Sequence, residues 1–106
     1  MKRGEVWTLR DDQYASKARP VVIVQNDEYC DFDSIILCLF TSFEAKERET
    51  RVMINPTEKN GLNKKSFVMT DKIVTVKKTM LRERIGELSK TEMEKISNKL
   101  KEILGL

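Results

Sequence analysis

Apolar and polar positions alternate in short runs along most of this chain, and only near the C-terminus does the apolar repeat lengthen to that of a helix. Residues 4–9, Gly-Glu-Val-Trp-Thr-Leu, read as a strand, and the polar stretch Arg10–Ala18 reads as a long loop. Pro20 opens a second strand, where a missing N–H is tolerated, and the β-branched run Val21–Val24 continues it. After turn-rich segments around Asn26 and Asp31, residues 34–42 form the strongest strand. Its unbroken Ile-Ile-Leu-Cys-Leu-Phe predicts burial on both faces. Residues 51–54 form a shorter strand, ended by Asn55-Pro56, and Asn60-Gly61 marks a turn because this pair readily supplies positive φ. Residues 66–69 and 72–76 read as two short strands, or as one strand interrupted at Thr70-Asp71. Residues 79–84 suggest one helical turn before Ile85-Gly86-Glu87-Leu88. Ser89-Lys90-Thr91-Glu92 is a capping-box pattern, and Met93, Ile96, Leu100, Ile103 and Leu104 follow at helical spacing up to Gly105. Short strands with one terminal helix predict a mostly β, α+β fold built on a small barrel.

The 106 residues suit a single domain, 1–106, and no repeat or linker divides them. A 40% hydrophobic and 35% charged composition is that of a globular chain rather than a disordered one. The longest apolar run, Ile35–Phe40, is far short of the roughly 20 residues that cross a bilayer, and no signal-peptide core follows Met1. A cytoplasmic protein without a membrane partner is expected. Cys30 and Cys38 are too few for a disulfide framework and lack zinc-site spacing, so they read as plain thiols, with no metal or cofactor implied. The net charge of +3 permits a nucleic-acid or an acidic protein partner without requiring either. The chain has no histidine. Any acid–base chemistry therefore falls to Arg, Lys, Asp, Glu, Tyr or hydroxyl groups, which draws attention to Arg19, set with Pro20 at the mouth of an apolar strand.

The order of several segments resembles the MazF/PemK family of toxin–antitoxin toxins. These are Gly4-Glu5-Val6-Trp7, Arg19-Pro20-Val21-Val22-Ile23-Val24, Phe40-Thr41-Ser42, Gly61-Leu62-Asn63-Lys64-Lys65-Ser66, Asp71-Lys72-Ile73-Val74-Thr75-Val76, Ile85-Gly86-Glu87-Leu88 and the final helix. The resemblance implies an SH3-like β-barrel of the MazF/PemK/CcdB kind, a homodimer, and sequence-selective cleavage of single-stranded RNA that arrests translation. It also implies a cognate antitoxin whose acidic, disordered segment folds over a groove carrying Arg19 and nearby lysines. Three features depart from the family pattern, one being the lack of the histidine that some members place in the first loop. The segment before Arg-Pro reads Gln13-Tyr14-Ala15-Ser16-Lys17-Ala18, without the family's acidic residue and glycine, and Met69 stands where PemK-like members carry an arginine two residues before the aspartate.

Under this resemblance, cleavage runs by attack of the 2′-hydroxyl on the adjacent phosphorus, giving a cyclic phosphate and a free 5′-hydroxyl. Three tasks follow: accepting the 2′ proton, protonating the 5′ oxygen, and stabilising charge on the phosphoryl oxygens. Arg19 suits the last, since its planar fork matches two phosphate oxygens. Thr41, with Ser42 beside it, brings a hydroxyl to a strand end. Asp71 is the candidate base, and proton transfer is left shared among Asp71, Thr41 and Arg19. Glu28, Glu44 and Glu47 are lesser alternatives. Tyr14 is the favoured stacking face for an unpaired base, ahead of Phe40, Phe43 and Trp7, the last of which also reads as core. Lys17, Lys64 and Lys65 are the candidate phosphate neighbours. Each of these residues also has a structural reading: a solvated charge, a strand-end threonine, a turn aspartate. Two other functions stay open, a CcdB-like toxin that binds DNA gyrase without catalysis and a non-toxic nucleic-acid-binding barrel.

Overall fold

The computed structural model of the protein describes residues 1–11, 15–43 and 49–106, with only the backbone of residues 11 and 15–17. Six strands run β1 (Glu5–Asp11), β2 (Ala15–Ile23), β3 (Ser34–Thr41), β4 (Arg51–Ile54), β5 (Ser66–Lys77) and β6 (Leu81–Glu87). A 3-10 turn, Lys78–Met80, joins the last two strands, and helix α1 (Lys90–Leu104) closes the chain. The strands form one antiparallel sheet in the order β4-β5-β3-β2-β1-β6. The mostly β fold with a C-terminal helix is the one expected. Among the described residues, no helix is long and apolar enough to cross a membrane.

The sheet curls like a barrel because its two edges approach each other through the segment after β4. The Glu87 N–H of β6 donates to the Lys59 carbonyl at 3.0 Å. A Cβ on Gly86 would lie 2.3 Å from that same oxygen, and one on Gly61 would lie 2.0 Å from the Ile85 carbonyl. Gly61 also has φ +71°, the left-handed backbone expected of the Asn-Gly turn. Asn60, 1% exposed, fastens this turn: its Oδ1 accepts from the Thr57 and Leu62 N–H groups, and its Nδ2 donates to the Asn55 carbonyl.

β3 is buried on both faces, as its unbroken apolar run predicts. Cys38 and Phe40 join Val6, Val22, Val68 and Ile96 in one core, while Ile35 and Leu37 join Leu9, Val21 and Ile23 in the other. Ile36 is the exception, 37% exposed near the start of the strand. Helix α1 covers the first core with Ile96, helped by Met93 and Leu100. Its capping box forms as expected, Ser89 Oγ accepting from the Glu92 N–H at 3.1 Å and Glu92 Oε1 from the Ser89 N–H at 2.9 Å. Gly105 ends it with φ +70°.

Three expectations change. Arg10–Ala18 is not one long loop, because β1 continues through Asp11 and β2 begins at Ala15, with Asp11 paired to Ala15. Cross-strand pairing overrides the polar composition there. Residues 66–77 are one strand, yet the pairing shifts register between Cys38 and Phe40, so four residues, 69–72, face Leu39 alone. The interruption read at Thr70-Asp71 is thus an irregularity inside a continuous strand. Residues 81–84 are strand rather than helical turn, since Leu81 and Arg84 pair with Leu9 and Trp7, and only Lys78–Met80 coils.

Candidate active site

The starts of β2 and β5 and the end of β3 meet at one end of the sheet. The β2–β3 register pairs Val21 with Leu39, Val22 with Cys38 and Ile23 with Leu37. Arg19 lies two residues before Val21 on β2 and Thr41 two residues after Leu39 on β3, and Thr41 is itself paired with Phe67 on β5. A cleft of about 300 Å³ opens here, with Arg19, Thr41, Ser42 and Lys64 in its walls beside Ala18, Pro20, Phe40 and Ser66. None of these residues is acidic, so among the described residues two cations, Arg19 and Lys64, and the hydroxyls of Thr41, Ser42 and Ser66 meet at the space with no carboxylate in its lining. Such a lining suits an anion.

Local sequence explains each placement. Arg19 precedes Pro20 in a strand that is buried from Val21 onward, so the last polar residue before the core stands exposed. Thr41 is half-buried where β3 leaves the core. Its Oγ1 accepts a hydrogen bond from the Phe43 N–H at 3.2 Å. That occupies one lone pair and leaves the hydroxyl proton free to be donated.

The structure thus unites four of the predicted residues, Arg19, Thr41, Ser42 and Lys64. Lys65 stands apart from the wall, its Nζ 5.9 Å from the centre of the Phe67 ring. Asp71 is not among the described residues that line the cleft: it lies, half-buried, on the irregular stretch of β5, residues 69–72, that faces Leu39. Its charge is felt elsewhere. Burial pushes the Cys38 thiol up to about 12, with Arg3 acting to lower it and Asp71 adding to the rise. Tyr14, Glu44 and Glu47 lie outside the described residues, as does the side chain of Lys17. Of the other aromatic candidates, Phe40 is buried and Trp7 is half-buried, its indole N–H donating to Glu5 at 3.0 Å. Phe43, beside the cleft, is 71% exposed and is the described ring best placed to stack on a base.

One residue that the sequence did not single out belongs near this site. Arg51, on β4, is the cross-strand partner of Met69, and its Nη1 donates to the Phe43 carbonyl at 2.8 Å. Only the β4–β5 register reveals it, since Arg51 and Met69 are far apart along the chain.

The chain is thus a small curled-sheet domain with a C-terminal helix and a cationic, hydroxyl-bearing cleft at one end. The family described as "PemK-like, MazF-like toxin of type II toxin-antitoxin system" matches residues 2–104, and the chain belongs to that family. It is 34% identical to the probable endoribonuclease MazF of Mycolicibacterium smegmatis, over 100% of this chain and 98% of that one. It is 32% identical to the endoribonuclease MazF of Staphylococcus saprophyticus, over 100% of this chain and 92% of the other. Among solved structures, an endoribonuclease in complex with its cognate antitoxin from a mycobacterial species superposes with a TM-score of 0.84. That pair is 28% identical, covering 100% of this chain and 96% of that one.

Proposed function

We propose that this protein is an endoribonuclease toxin that cuts single-stranded RNA, mRNA above all, at the cleft between β2, β3 and β5. The observation that carries the reading is that Arg19 and Thr41 line one cleft whose described walls hold no acid. A phosphodiester seated there meets the Arg19 fork on its non-bridging oxygens and the Thr41 hydroxyl as a further donor, with Lys64 contributing charge. These donors stabilise the charge that grows on phosphorus as the 2′-oxygen attacks. The 2′-oxygen forms a bond to phosphorus while the bond to the 5′-oxygen breaks, leaving a 2′,3′-cyclic phosphate and a 5′-hydroxyl. Asp71, the base expected from sequence, stands off the cleft wall, so in this reading water takes the 2′ proton and returns one to the 5′-oxygen.

The partner reading follows from the same charges. Arg19 and Lys64 suit an acidic, unfolded antitoxin segment that covers the cleft and excludes RNA. Self-association is drawn from the far end of β3. There Tyr29, Phe32, Ile36 and Leu104 are all exposed and, with Ile73 and Leu100, line an apolar hollow of about 520 Å³. A second copy of the chain covers it, and the protein acts as a homodimer in the cytoplasm, where mRNA is found.

The test is incubation of purified protein with single-stranded RNA in EDTA, followed by end-group analysis. The expected products carry cyclic phosphate and 5′-hydroxyl ends, and Arg19→Ala abolishes them. Equal rates for wild type and Arg19→Ala overturn the assignment. Growth arrest with intact RNA and a failing topoisomerase assay would instead favour gyrase binding.

A further inference from the structure

We propose that Arg51 is a positioning residue for RNA cleavage, which from outside the cleft holds the segment that orients the Thr41 hydroxyl. The inference rests on the reading of Arg19 and Thr41 as the cleaving pair. Its basis is a relay through one residue: the Arg51 guanidinium donates to the Phe43 carbonyl at 2.8 Å, and the Phe43 N–H donates to Thr41 Oγ1 at 3.2 Å. Both main-chain polar groups of Phe43 are therefore engaged, one by the positioning cation and one by the cleft hydroxyl. Phe43 as a whole is 71% exposed, so packing does little to hold it.

Arg51 is well anchored for this task. It starts β4, whose next residue, Val52, is buried and paired with Val68 in the first core. Residues directly paired across antiparallel strands share a face, and so do alternate residues along a strand. Thr41, Phe67 and Met53 form one such row, with Arg51 and Met69 as the neighbouring pair on that same face. Arg51 thus reaches the end of β3 across β5 without entering the cleft, whose lining does not include it.

The arrangement is also costly for a merely structural clasp. Arg51 Nε is buried and makes no hydrogen bond among the described residues. An apolar residue would close this corner without leaving a shielded polar group unpaired. Holding Phe43, and through it the lone pair of Thr41, accounts for the cation.

The test compares wild type, Arg51→Met and Arg51→Lys in single-stranded RNA cleavage, alone and in a Thr41→Val background. The expected result is a fall in kcat of about tenfold for Arg51→Met, the range of one lost hydrogen bond, with KM within about twofold. Arg51→Lys recovers most of the rate, since an ammonium still reaches the carbonyl. In the Thr41→Val background Arg51→Met has no further effect. Exchange of the Phe43 amide, followed by NMR without RNA, quickens in Arg51→Met while the amides of β2 and β3 keep theirs. A raised KM with a shallower salt dependence would make Arg51 a phosphate contact and overturn the proposal. Undiminished kcat beside an active wild type, or an unchanged Phe43 exchange rate, would overturn this inference alone. A wild type inert toward RNA would overturn the parent reading and this one with it.

Discussion

Replacing Thr41 by valine removes the hydroxyl and little else. Valine has nearly the same shape and favours strands, and Thr41 sits half-buried at the end of β3 against Phe67. The fold is expected to lose no more than about 0.5–1 kcal/mol. The Phe43 N–H that Thr41 Oγ1 accepts lies at an exposed position, where water replaces the lost partner. The loss in catalysis is larger. A hydrogen bond to a charged acceptor contributes about 1.5–3 kcal/mol, and at about 1.4 kcal/mol per factor of ten this is roughly 10–150-fold in rate. Donors in dry, enclosed sites reach about 10²–10³-fold, but Arg19 is exposed and the cleft meets solvent, so the lower range applies. Single-turnover cleavage of a short fluorescent single-stranded RNA reads the rate, and thermal melting by circular dichroism checks the fold. Thr41→Ser, which keeps the hydroxyl, should stay within a few-fold of wild type. Two results would refute the reasoning: a Thr41→Val rate within threefold of wild type, or a folded Thr41→Ser as slow as Thr41→Val.

Further outcomes follow from the fold and its thiols. Gly86→Ala places a methyl group 2.3 Å from the Lys59 carbonyl and should cost about 1–3 kcal/mol or more in urea unfolding, because backbone on both sides must move. Asn60→Ala strands the Thr57 and Leu62 N–H groups and should cost about 2–4 kcal/mol by the same measurement. The exposed Cys30 should react with a thiol reagent in the native protein while Cys38, fully buried, reacts only after denaturation, as counted by intact mass. Because the folded Cys38 thiol is raised from 9.0 to about 12, the unfolded chain loses this proton first as pH rises. Stability should therefore fall between about pH 9 and 12, by up to about 1.4 kcal/mol per pH unit from this group, and Cys38→Ala should remove that part of the slope.

The sequence by itself determined the elements whose local code is strong. The capping box at Ser89, the Asn60-Gly61 turn, the apolar third strand and the C-terminal amphipathic helix were all legible, because caps, positive-φ turns and unbroken apolar runs express short-range physics. The order of short motifs also carried the family and singled out Arg19 and Thr41. Only the tertiary structure decided pairing and register. It turned much of the polar stretch 10–18 into strand, since a partner strand satisfies backbone groups whatever the side chains are. It brought Arg19 of β2 together with Thr41 and Ser42 at the end of β3 and Lys64 just before β5. Asp71, which the family resemblance had recommended as the base, falls on the irregular stretch of β5 and is not among the described residues that line the cleft. Arg51 was invisible for the complementary reason: no local pattern marks it, and its place opposite Met69 and beside Phe43 exists only once β4 and β5 have paired. A chain of 106 residues records which groups are available for chemistry, whereas their meeting depends on contacts between distant segments that no single stretch encodes.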